Sequence, residues 1–80
     1  MAWDYRVVKY SVGPETDREE VFEVCEVYYD DNGVAHSFIK DKNPLNQESI
    51  EDLKTTLERI SLALQKPVLQ WDEKNLTELG

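Results

Sequence analysis

The chain has 80 residues, with 17 Asp and Glu against 9 Lys and Arg, a formal net charge of -8, 40% hydrophobic and 10% aromatic residues. That is one small domain, which buries only roughly 60% of the surface its unfolded form exposes, so burial supplied by a partner would add to its stability. The charge argues against a basic footprint for a nucleic-acid backbone, and no apolar run approaches the ~20 residues of a membrane-spanning helix.

The expected location is the cytoplasm. No basic-then-apolar secretion signal opens the chain, and the single cysteine, Cys25, cannot close an internal disulfide, which suits a reducing compartment. Trp3 to Val12 is rich in β-branched and aromatic residues and predicts a first strand, ended by Gly13-Pro14. Gly13 to Glu19 supplies turn residues and charge with no apolar position, as expected of a solvated connection. From Glu20 to Asp30 a second strand carries bulky apolar groups on both faces, the mark of a strand covered on two sides.

Asn32-Gly33 predicts a two-residue type I′ hairpin, with Tyr29 opposite His36, Val27 opposite Phe38 and Cys25 opposite Lys40. A third strand then runs from Val34 to about Lys40, followed by a polar loop over Asp41 to Asn46 that contains Pro44. Ser49 with Asp52 three residues later predicts a helix start. Ile50, Leu53, Leu57, Ile60 and Leu64, spaced by three and four, form one apolar stripe on that helix. Pro67 ends it, Val68 to Trp71 reads as a short extended piece that docks, and Asp72 to Gly80 as a polar tail that either forms a final helical turn or frays.

The expected fold is therefore α+β: a three-stranded antiparallel meander with one amphipathic helix packed on one face (β-β-β-α) and a short docked C-terminal tail, with residues 1–71 as the domain and 72–80 as the tail. One helix covers one sheet face. The other face needs a cover too, for which Val68 to Trp71, a second copy or a different protein are candidates, and a homodimer is the simplest expectation.

Trp3-Asp4-Tyr5-Arg6-Val7-Val8, Glu26-Val27-Tyr28-Tyr29-Asp30 before Gly33, and Ala63-Leu64-Gln65-Lys66-Pro67-Val68-Leu69 after the helix together resemble a group of short uncharacterised bacterial proteins. The likeness spans roughly Trp3 to Leu69. It implies a bacterial, cytosolic, stand-alone protein, and carries no catalytic residue onto this chain.

Catalytic chemistry finds little to stand on. The one histidine, His36, and Cys25 lie about 13 Å apart in the expected register, too far to share a proton, so Cys25 is read as a small buried hydrophobe. No zinc spacing, calcium loop or phosphate-binding glycine pattern is present, and no catalytic residue, cofactor or metal site is assigned.

Two surfaces stand out instead. Eight acids, Glu15, Asp17, Glu19, Glu20, Glu23, Glu26, Asp30 and Asp31, face only Arg18 in their segment and read as an acidic hairpin. Trp3, Tyr5, Tyr28, Tyr29 and Trp71 read as an aromatic face, since Trp and Tyr anchor interfaces. The expectation is a non-enzymatic protein-interaction module that presents a sheet face and the acidic hairpin to a protein partner, without binding nucleic acid or membrane. Two alternatives stay open: an acidic inhibitor that mimics nucleic-acid phosphates in a basic groove, and a small-molecule binder with a pocket between helix and sheet.

Overall fold

A computed structural model describes residues 2–40 and 43–79. Asp41 and Lys42 of the expected polar loop, like Met1 and Gly80, lie outside the described residues. Six elements follow one another: β1 (Ala2–Val12), β2 (Glu19–Tyr29), β3 (Ala35–Ile39), α1 (Ile50–Ala63), β4 (Leu69–Trp71) and β5 (Leu76–Glu78). The fold is α+β with one helix, but the three-stranded antiparallel meander is overturned. The sheet has five strands in the order β3-β2-β1-β4-β5 and is mixed.

β1 lies at its centre, antiparallel to β2 from Ala2↔Tyr29 to Val12↔Glu19, and parallel to β4 at Val8↔Leu69 and Lys9↔Gln70. Most of the extended segment expected to dock, Leu69 to Trp71, is thus a strand of the sheet itself. Part of the expected polar tail is another: Leu76 to Glu78 pairs antiparallel with Trp71 to Leu69. The turn between these strands is held by the Asp72 carboxylate, which accepts the Lys74 and Asn75 amides at 2.9 and 2.7 Å.

The β2–β3 hairpin also departs from expectation. Among the described residues Glu73 is the only non-glycine with positive φ, so Asn32 does not take the type I′ conformation, while Gly33 sits at φ 77°. The Gly33 amide donates to Asp30 O at 3.0 Å and the Asp30 amide to Val34 O at 2.9 Å, closing a three-residue loop that ends in a left-handed glycine. The extra residue moves the register: Val27 faces Phe38 as expected, but Tyr29 faces Ala35, and His36 is exposed at the irregularity.

Side chains of one sheet face come from all five strands and form the main core. Val8 and Tyr10 of β1, Cys25 and Val27 of β2, Leu69 of β4 and Leu76 of β5 are buried, with Tyr29, Ala35, Phe38 and Trp71 packed against them. The helix takes no part in this cluster. In a flat sheet β3 and β5 would stand about 19 Å apart, four strand spacings, yet they touch. The sheet is therefore curled into a partly closed barrel, clasped where the Phe38 and Trp71 rings meet edge to face at 5.4 Å. This curl covers the face that the helix leaves, with no second protein.

α1 lies on the convex side. Ser49 caps it as expected, its hydroxyl accepting the Asp52 amide at 3.1 Å. Tyr5 and Val7 of β1 and Thr56 and Ala63 of α1 are buried there. Among the described residues no helix is long and apolar enough to cross a membrane.

Candidate functional site

The strands carry the eight acids to different places. Glu15, Asp17, Glu19 and Glu20 are exposed at the β1–β2 turn, where Lys9 pairs with Glu20 at 2.8 Å. Asp30 and Asp31 lie beyond the opposite end of β2, about 36 Å from Glu19 at 3.3 Å per residue, and the Asp30 carboxylate is engaged by the Asn32 and Val34 amides. Glu23 points to the core face, where it accepts the Tyr10 hydroxyl, and Glu26 is buried on the convex face, accepting the Tyr28 hydroxyl at 2.9 Å. The largest group that shares a surface is the four acids at the β1–β2 turn.

The aromatics divide as well. Tyr29 and Trp71 belong to the barrel interior, whereas Trp3, Tyr5 and Tyr28 alternate onto the convex face. Trp3 and Tyr5 meet edge to face at 5.3 Å, and the Arg59 guanidinium lies 4.2 Å from the Trp3 ring centre and 5.0 Å from that of Tyr5. Asp4 ties the end of the helix to this cluster, accepting Lys66 Nζ at 2.7 Å and Arg59 at 3.4 Å. Burial pushes the Asp4 carboxyl up, but Lys66, the Tyr5 amide and Arg59 together outweigh it and hold its pKa below the ordinary value.

Beside that cluster a cleft of about 390 Å³ opens between α1, the 43–47 segment and the convex face of β1 and β2. Glu26 and Tyr5 form its floor, Thr56 and Arg59 one wall, and Asn46 and Gln47 part of the other. Thr56 is more than nine-tenths buried in that wall. The cleft can offer hydrogen bonds and an aromatic wall. Neither Cys25, buried in the barrel interior, nor His36, exposed on β3, lines it. No group of three or more potential metal ligands occurs among the described residues.

The least expected feature is the outer flank of α1. The helix docks through Thr56 and Ala63, with Leu53, Arg59 and Ile60 half-buried, rather than through the whole apolar stripe. Small residues over Tyr5 and Val7 let the helix sit close to a bulky strand, and this rotates the stripe toward solvent. Ile50 is 71% exposed, Leu57 48% and Leu64 66%. These three recur every seven residues and line one side of the helix over about 21 Å. Thr56 and Ala63, also seven apart, were the sequence signal for the docked side, but their modest hydrophobicity hid it.

Comparison with protein-family models, with curated proteins and with solved structures finds no match to this chain.

Proposed function

We propose that this chain is a non-enzymatic protein-interaction module whose docking surface is the outer flank of α1, rather than a sheet face. The supporting observation is the line Ile50, Leu57 and Leu64, three exposed large apolar side chains on one side of α1 and its C-cap. Scattered apolar residues are normal on a surface, but a line repeating every two turns is the pattern by which a helix anchors on a partner. The acidic β1–β2 turn, with Glu15, Asp17 and Glu19, keeps like surfaces apart and biases which partners approach.

The test is the triple variant Ile50→Gln, Leu57→Gln, Leu64→Gln, measured for folding and for association. Expected is an unchanged circular dichroism spectrum, a melting midpoint within a few degrees of the parent, and loss of association. A large fall in the midpoint would mean that the stripe is packed within the chain itself, and would overturn the reading.

The cleft's lining of Glu26, Asn46, Gln47 and Thr56 beside the Trp3 and Tyr5 rings favours a second reading, in which the cleft takes a small polar ligand. Trp3 at its rim supplies the assay: sugars, nucleosides and amino acids are titrated while tryptophan emission is followed, and a Thr56→Val variant should lose any saturable response.

A further inference from the structure

We infer that the cleft beside α1 takes a free α-amino acid, its ammonium group held at the floor by Glu26 and its carboxylate at the rim by Arg59. This rests on the reading of the cleft as a small-ligand site and names the ligand. Glu26 is buried yet lines the cleft, and a carboxylate can take several donors, of which the Tyr28 hydroxyl at 2.9 Å is one. Arg59 lines the same space. Its guanidinium is fixed over Trp3 and Tyr5, and of its several N–H donors Asp4 takes one, at the long distance of 3.4 Å. Tyr5 borders both groups: Glu26 is its cross-strand neighbour, about 4.5–5.5 Å away between Cα atoms, and Arg59 lies 5.0 Å from its ring centre. Two opposite charges beside one ring match a ligand that carries both charges on one carbon.

Charge and shape exclude the nearest rivals. The formal charges of Asp4 and Glu26 are offset by those of Arg59 and Lys66, so a plain cation meets Arg59 and a plain anion meets Glu26, whereas a zwitterion satisfies both. A sugar ring or nucleobase finds little flat surface to stack on, because the Arg59 guanidinium stands 4.2 Å from the Trp3 ring centre and Tyr5 is buried. Gln47 turns its amide nitrogen to the Pro44 carbonyl at 2.8 Å, which leaves its side-chain oxygen as a further acceptor for an ammonium group. Trp3 and Pro44 at the rim suit an apolar side chain.

The probes are L-leucine, isoamylamine, which lacks the carboxylate, and isocaproate, which lacks the ammonium group, each titrated at neutral pH while tryptophan emission is followed. Expected is a saturable response to leucine, with each analogue weaker by about 10-fold or more because it has lost one charge-assisted contact. Glu26→Gln should remove the preference for leucine over isocaproate, and Arg59→Gln the preference for leucine over isoamylamine. Each variant is first checked for a cooperative melt. If Glu26→Gln does not fold, the ranking of the three probes on the parent chain decides.

An analogue that binds as tightly as leucine overturns the inference, as does a folded Glu26→Gln variant that keeps the full preference. Saturable binding of a sugar or nucleoside without leucine overturns it too, but leaves the cleft standing as a ligand site. No saturable response to any of these compounds removes both readings.

Discussion

The closure of the sheet can be tested by separating Phe38 from Trp71. Phe38 lies on β3 and Trp71 on β4, strands not hydrogen-bonded to each other, and their rings touch only because the sheet curls. An edge-to-face pair contributes about 0.5–1.5 kcal/mol beyond the area it buries. Each ring is half-buried, so Phe38→Leu and Trp71→Leu should each cost about 1–2 kcal/mol, below the ~3–5 kcal/mol of a fully buried ring cut to alanine. The expected total stability is only about 4–12 kcal/mol at this length, so both losses are readily measured.

The assay is urea unfolding at 25 °C followed by far-ultraviolet circular dichroism, on the parent, both single variants and the double variant. The double variant should be less destabilised than the sum of the singles by about 0.5–1.5 kcal/mol. A control cycle pairing Phe38→Leu with Trp3→Leu should be additive within about 0.5 kcal/mol, because Trp3 lies on the convex face. Additivity in the Phe38–Trp71 cycle would refute the clasp, and with it the account of how the second sheet face is covered.

Two further results follow from local geometry. A Cβ at Gly13, where φ is 98°, would stand 2.7 Å from the Asp17 carbonyl oxygen, whereas one at Gly33, φ 77°, meets nothing within 4 Å. Gly13→Ala should therefore cost about 2–3 kcal/mol and Gly33→Ala about 1 kcal/mol in thermal or urea unfolding, and the reverse order would refute the strained β1–β2 turn. The Asp4 carboxyl has its pKa lowered in the folded chain, so its contribution to stability is present above its unfolded value, about 3.9, and is lost as pH falls through the lower folded value. A third of this side chain is exposed, so Asp4→Asn should cost only about 1 kcal/mol at pH 7, with the difference from the parent shrinking below about pH 4. A difference that stays constant from pH 7 to pH 3 would show that the Lys66 and Arg59 contacts are not electrostatic.

What the sequence by itself determined is what neighbouring residues decide. The β-branched and aromatic run of β1, the Gly13-Pro14 stop, the Ser49 cap and the Val27–Phe38 pairing all depend on residues close along the chain or on one short hairpin. The acidic and aromatic residues were legible by type, but their grouping was not, because strand alternation and the length of β2 send neighbours in sequence to opposite faces and ends. Only the tertiary structure decided the parallel pairing of β4 with β1. Three residues carry no record of their direction, and here the α1 crossover sets it. β5 is likewise three residues long and becomes a strand because β4 offers an edge. The 3-4 spacing on α1 showed an apolar stripe without saying how much of it the chain would cover. The bulk of Tyr5 and Val7 beneath the small Thr56 and Ala63 turned the helix, and left Ile50, Leu57 and Leu64 in solvent.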